Sequence, residues 1–382
     1  MNQSVIAENI KKAIDEGCTP SLVLLVSKNS EIVYHDAFGF LSNKSMEKAT
    51  KTTCYDLASL TKPLITSVAI MLLIEQGRIE IGEKIEKYLP EFVGNRKEQI
   101  TIGHLLSNSA GLPSYRPYYK RLLEMEAYES GHILCKKEAK ENIYRFICNE
   151  SLDYEPGTRS LYSDLGFMLL GFLVEKVSGL TLDEYCEKWI FRPLGLVSTF
   201  FNDLSRREES KSLINKFTFA PTEECPWRKK LLYGEVHDDN AYAMGGVAGH
   251  AGLFSTASDI HILVKALYES YSKDCHDNFI SSAIINMFFK KQDIVGSTWR
   301  LGWDSPSAKN STAGNLFSDN SIGHTGFTGT SLWIDLRQSI WIIVLSNRVS
   351  PTRDNNKFRQ FRPKLHDIIM RWILEDNEQG NE

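Results

Sequence analysis

The chain has 382 residues, 42% hydrophobic and 24% charged, which is enough apolar mass for one large two-part domain or two ordinary ones and unlike a disordered or fibrous protein. Its 44 lysines and arginines against 48 aspartates and glutamates leave a formal net charge of −4, so there is no electrostatic ground for nucleic acid or an anionic membrane as a partner. The expected partner is a small molecule or a short peptide; oligomeric state is not readable from composition.

The opening MNQSVIAENIKKAIDEG places Val5, Ile6, Ile10 and Ala13 on one helical face and has neither the basic start nor the apolar stretch of a secretory signal. Seven cysteines (Cys18, Cys54, Cys135, Cys148, Cys186, Cys225, Cys275) contain no C-x-x-C pair, and an odd number cannot all pair internally. Reduced thiols and a cytoplasmic location are therefore expected. Two β-rich runs flank Lys28-Asn29-Ser30 and read as a hairpin.

The longest apolar run, residues 64–74, is shorter than the ~18–20 residues a bilayer requires, so no membrane span is expected. With Gln76 it reads as a buried helix closed by Gly77. Further helices are expected at residues 102–107, 120–128, 136–148, 165–177 and 181–190, with 115–150 either a lid or a solvated helical flank. Residues 203–245 carry charge clusters, Pro221 and Pro226 without a period, and read as a long irregular connection. Two strands at 330–336 and 339–346, separated by Arg337-Gln338, and an amphipathic helix at 358–374 close the chain.

Strands at both ends with helices between them give the expected fold class, α/β (α+β): an antiparallel sheet built from both termini and flanked by helices, with an inserted, mostly helical subdomain. The expected division is residues 1–58 with 245–382 for the α/β half and 59–244 for the helical half. The cleft between them is the natural site.

Ser59-Leu60-Thr61-Lys62 stands immediately before the apolar helix. The S-x-x-K spacing is cheap, since Ser45 with Lys48 and Ser270 with Lys273 also match it. Only Ser59 lies at the mouth of a strongly apolar helix, where unpaired amides and the helix dipole favour developing negative charge and where Pro63 is tolerated. Residues three apart on a helix share a face, so Lys62 can approach the Ser59 hydroxyl, and a lysine of lowered pKa can take the serine's proton. The bland alternative is that Ser59 caps the helix and Lys62 is solvated.

Two more constellations accompany it. Tyr162-Ser163-Asp164 follows Pro156-Gly157 and precedes the helix from 165, and His324-Thr325-Gly326 introduces Phe327-Thr328-Gly329-Thr330 and a strand. With Ser59-x-x-Lys62 these resemble the signature of β-lactamases and penicillin-binding proteins, in the branch of class C β-lactamases, D-alanyl-D-alanine carboxypeptidases and related esterases. Smaller matches fall in order at residues 73–77 with 88–90, at 102–113 and at 251–256.

The resemblance implies a β-lactamase/transpeptidase-like fold and an acyl-enzyme reaction without cofactor: Ser59 attacks a carbonyl, while Lys62 and Tyr162 move the proton. It further implies that the backbone N–H groups of Ser59 and Phe327 form an oxyanion hole, with Asp164, His324, Thr325 and Gly326 facing substrate. His324 stands where many β-lactamases carry lysine and is expected to titrate near ~6.5. Asp164 replaces an asparagine whose amide donates, which a carboxylate cannot do.

The expected function is therefore hydrolysis of a small ester or a D-amino-acid-containing peptide or amide. A weak β-lactamase is the alternative enzyme, and a non-catalytic binding or assembly module with the same fold is the alternative of another class. The glycine-rich stretch 245–252 lacks the G-K-[ST] of a phosphate loop and reads as a tight turn. His237-Asp238-Asp239 and His250 match no standard metal spacing, so no metal is expected.

Overall fold

Five strands from the two ends of the chain make the main sheet. The protein is described here by a computed structural model covering residues 3–129, 132–273, 275 and 277–379. β1 (Ser21–Lys28) and β2 (Glu31–Gly39) form the expected hairpin, with Asn29 and Ser30 at φ 52° and 69°, the left-handed pair that a two-residue loop between twisted strands requires. β3 (Ser321–Thr325), β4 (Ser331–Asp335) and β5 (Ile340–Ser346) come from the C-terminal part. The order is β2-β1-β5-β4-β3, antiparallel at every pairing.

Helices α1 (Ser4–Asp15), α2 (Ser67–Glu75), α3 (Asp164–Ser178), α4 (Ala257–Ser272) and α5 (Lys357–Gln379) supply most of the covering. The central strands are buried on both faces, and residue parity sorts their side chains. Leu22, Leu24, Val26, Ile342 and Val344 pack with Ile6 and Ile10 of α1 and Leu365, Ile369 and Ile373 of α5. Val23, Leu25, Ile343 and Leu345 turn the other way, into a core shared with Ile260, Val264 and Leu267 of α4 and with α2. Each such side chain contributes about 1.5–3 kcal/mol by leaving water.

α2 is buried on all sides, as an all-apolar helix must be in a water-exposed fold. The stretch Ala58–Glu75 is long and apolar enough to match a membrane-spanning helix by length and composition, but 83% of it is buried inside the protein.

The helical middle of the chain matches the periodicity, with helices at Ile102–Leu106, Tyr118–Glu129, Lys137–Cys148, α3 and Leu182–Cys186. Residues 203–245 depart from expectation: helix Arg207–Lys216, a two-strand pair and helix Asp239–Ala243 interrupt the connection. Ser210 is the one buried residue of the first of these helices, so no apolar period marks it. Its helicity is written instead in charge, with Glu208 and Glu209 in the first turn and Lys216 in the last.

Candidate active site

The site begins with a strained turn. Tyr55–Asp56 pairs with Leu253–Ser255, and Ala58 then takes φ 46°, left-handed for a residue with a side chain. The buried Asp56 carboxylate holds it there, accepting the Ala58 amide at 2.8 Å and the His237 amide at 2.6 Å. The chain continues as a 3₁₀ turn, Ala58–Leu60, and a π turn, Lys62–Thr66, before α2.

This winding brings Ser59 to a cavity wall and Lys62 behind it, with no exposure to solvent. The Lys62 ammonium donates to Ser59 Oγ at 3.0 Å and to the His250 carbonyl at 2.9 Å, and Asp164 Oδ1 lies 2.7 Å away. All three of its protons are thus used. Tyr162 Oη donates to Ser59 Oγ at 2.8 Å and stands 3.2 Å from Asp164 Oδ1. Burial pushes the Lys62 amine below its ordinary range, and the charges of Asp164 and Asp238 pull it partly back. Burial, then the neighbouring Asp164 charge, pushes the Tyr162 phenol well above its own. A serine oxygen so placed has two proton carriers on it: a lysine whose burial favours losing a proton and so becoming an acceptor, and a phenol that donates.

The bland reading of this motif fails on burial: Lys62 is buried rather than solvated, and Ser59 Oγ is met by Lys62 and Tyr162. The rival S-x-x-K serines lie elsewhere. Ser270 Oγ donates to the Ala266 carbonyl within α4, and Ser45 sits in the loop after β2, where it caps the Glu47 amide.

Tyr162 is held by the loop that the smaller motif at 102–113 encodes. Asn108 Oδ1 accepts the Ser163 amide at 3.0 Å, and its carbonyl accepts the Leu161 amide at 2.8 Å. Ser163 Oγ donates to the Pro113 carbonyl at 2.6 Å and caps α3 through the Gly166 amide at 3.4 Å. The Tyr162 ring stacks on Trp299 with centroids 5.6 Å apart, and both rings border His324.

His324 and Thr325 form the end of β3 and Gly326 follows it, all three at the cavity. His324 does not titrate near 6.5 as its residue type suggested: burial, then the Lys62 charge, holds it down at about 3. It is a neutral ring whose Nδ1 lies 2.9 Å from the Thr325 carbonyl. The turn after it is clamped to the segment before Ser59, with Thr328 Oγ1 donating to the Asp56 carbonyl at 2.8 Å and Thr330 Oγ1 to the Leu57 carbonyl at 3.0 Å. A side chain at Gly326 would collide with Thr330 Oγ1 and lie 2.6 Å from the Leu57 carbonyl. Among the described residues, neither the Ser59 amide nor the Phe327 amide donates to another protein group.

The glycine-rich stretch packs where no side chain fits: at Gly249 a Cβ would collide with the Phe167 carbonyl and lie 2.8 Å from the Gly171 amide of α3. That approach presents the His250 carbonyl to Lys62. The His250 ring is 2.9 Å from Asp238 Oδ1, and His237 Nε2 is 3.2 Å from Glu223 Oε2, so each imidazole has one carboxylate beside it.

Ser59, Tyr162, Asp164, His324, Thr325 and Gly326 line one cavity of about 720 Å³, a volume suited to a small-molecule or short-peptide ligand. The structure adds to its wall Tyr115, Asp238, Trp299 and the arginines Arg348, Arg353, Arg359 and Arg362. None lies in a recognisable motif. The only trace of the last group in the sequence is the density of arginine after the final strand.

Comparison with known proteins finds relatives by sequence and by fold. The sequence model of a family described as beta-lactamase matches residues 6–362. A protein of Escherichia coli K12 named "Putative D-alanyl-D-alanine carboxypeptidase" is 35% identical over 372 residues, covering 91% of this chain and 83% of that protein. Among solved structures, the octameric penicillin-binding protein homologue from Pyrococcus abyssi superposes with a TM-score of 0.71 at 22% identity, covering 91% of this chain and 74% of that one. EstCE1, a hydrolase with promiscuous acyltransferase activity, does so with a TM-score of 0.71 at 21% identity, covering 94% and 98%.

Proposed function

The chain belongs to the beta-lactamase family, and from that premise we propose that it is a serine hydrolase working through an acyl-enzyme on a small ester or a D-amino-acid-containing peptide or amide. The observation that carries the reading is the pair of contacts on one oxygen, Lys62 Nζ at 3.0 Å and Tyr162 Oη at 2.8 Å from Ser59 Oγ.

In the proposed reaction Lys62, as the free amine that its burial favours, takes the Ser59 proton while Oγ bonds to the substrate carbonyl carbon. The amides of Ser59 and Phe327 receive the resulting oxyanion, a contribution of ~2.7–4 kcal/mol per donor. The bond to the leaving group then breaks, and the leaving oxygen or nitrogen receives a proton through Tyr162 from the Lys62 ammonium. Water, deprotonated by the same pair, attacks the ester carbonyl and returns Ser59 with its proton. Thr325 and His324 border the incoming substrate.

The D-peptide half of the proposal draws on the carboxypeptidase name of the relatives, and the ester half on the hydrolase among the structural neighbours. Seven unpaired thiols support a reducing compartment such as the cytoplasm as the place of action. The test is to incubate the protein and its Ser59→Ala variant with a fluorescent phosphonate and a fluorescent penicillin, and to locate adducts by mass spectrometry. The expected result is phosphonate on Ser59 and none on the variant. A Ser59 adduct with penicillin would move the reading toward β-lactam chemistry, and equal labelling of both proteins would overturn the nucleophile.

A further inference from the structure

One wall of the cavity carries three arginines, Arg348, Arg359 and Arg362, that the proposed chemistry does not use. Arg348 follows β5, and Arg359 and Arg362 stand three apart near the start of α5, on one helical face. They surround the residue after the His324-Thr325-Gly326 strand end: Arg348 Cζ is 4.8 Å and Arg359 Cζ 5.5 Å from the Phe327 ring centroid. Arg362 Nη1 donates to the Thr330 carbonyl at 3.1 Å, and Thr330 in turn is tied to Leu57. The cluster is therefore built on the same turn that is clamped to the segment before Ser59.

What sets these three apart is the absence of countercharge. Among the described residues no carboxylate lies within ion-pair distance of any of them, while Arg353 on the same wall is taken by Glu223 at 2.6 Å and Asp239 at 3.0 Å. Arg348 is 2% exposed and Arg362 6%, and Arg348 Nη2 and Arg362 Nε are buried without any hydrogen-bond partner. Leaving buried guanidinium protons unpaired is costly in a folded protein. The strain is visible in their acidity: burial, then the charges of neighbouring arginines, lowers Arg348 to about 10 and Arg362 to about 9. Both stay cationic at neutral pH.

A single carboxylate would leave most of this charge unbalanced. The geometry points to a substrate that carries a dianionic group, a phosphate monoester or a dicarboxylate, held by Arg348, Arg359 and Arg362 while its scissile carbonyl lies at Ser59. Planar guanidiniums grip both groups through paired N–H···O contacts. The substrate assignment rests on the hydrolase reading above, but the anion site does not.

Binding is therefore measured on the Ser59→Ala protein, where no turnover occurs. Calorimetric titration with phenyl phosphate and with phenylmalonate is compared with their monoanionic counterparts, methyl phenyl phosphate and phenylacetate. At least one dianion is expected to bind tenfold or more tightly than its counterpart. Arg359 is exposed, so Arg359→Gln in the same background spares the core, and it is expected to weaken that dianion at least tenfold. Phenyl phosphate binding is also expected to tighten from pH 5 to pH 8 as its second proton leaves. Which dianion binds identifies the source. Failure of both to outbind their counterparts, or dianion binding untouched by Arg359→Gln, overturns the proposal, whereas loss of phosphonate labelling at Ser59 would overturn only the hydrolase reading.

Discussion

Asp164 Oδ1 lies 2.7 Å from Lys62 Nζ, the two meeting at the buried side of the site. The third residue of the tyrosine motif thus faces the amine as well as the cavity. Its charge opposes the burial that loosens the lysine's proton, and so sets the pH range in which Lys62 is a free base.

From this the consequence of Asp164→Asn follows with a definite sign. Removing the carboxylate removes the main influence that holds the Lys62 pKa up, so the free amine persists to lower pH. The acid limb of kcat/KM, measured on any ester the enzyme accepts, is expected to move toward lower pH. The new amide also offers a donor to an acylamino group, so penicillin labelling is expected to rise. A limb that stays in place or moves to higher pH would contradict the role given to Asp164.

Lys62→Met keeps the volume and loses the proton acceptor. The rate of phosphonate labelling at Ser59 is expected to fall by about 10²–10⁴, the usual contribution of a positioned base. Stopped-flow fluorescence would measure it, and a change below tenfold would reassign the base.

The Asn108 side chain accepts the buried Ser163 amide, one residue from Tyr162. Asn108→Ala leaves that amide unpaired, at about 1–3 kcal/mol, and frees the Tyr162 segment. Lower stability in urea titration is expected together with a fall in kcat larger than any change in KM. A stability loss with kcat intact would make Asn108 a purely structural residue.

His324 and His366 are both held at about 3, by burial first and then by the charges of Lys62 and Arg362 respectively. The unfolded chain binds these two protons near pH 6.5, the native state only near pH 3. The stability they contribute is therefore complete above about pH 6.5 and is lost as pH falls toward 3, with a slope of at most about 1.4 kcal/mol per pH unit for each. In urea titrations at pH 7.5 and 4.5, His366→Asn is expected to lose less stability between the two than the parent chain does. An equal loss would mean that His366 is already protonated in the native state.

Much of the site was readable because it is local. The three-residue spacing of Ser59 and Lys62, Pro63 in the turn, the apolar run behind it and the strand after Gly326 are short-range patterns, and backbone stereochemistry and residue periodicity make them visible one segment at a time. Helix Arg207–Lys216 escaped for the complementary reason: with one buried residue it has no apolar period to detect.

Only the tertiary structure decided which groups meet and what protonation they hold. The Lys62 amine reaches the His250 carbonyl across 188 residues because Gly249 lets that loop lie on α3. His324 is neutral because it is buried beside a cation, and Asp164 is the lysine's partner because α3 begins at the cavity. Arg348, Arg359 and Arg362 form a wall only once β5 and α5 are packed. Charge pairing and acidity depend on burial and proximity, and those are properties of the assembled chain.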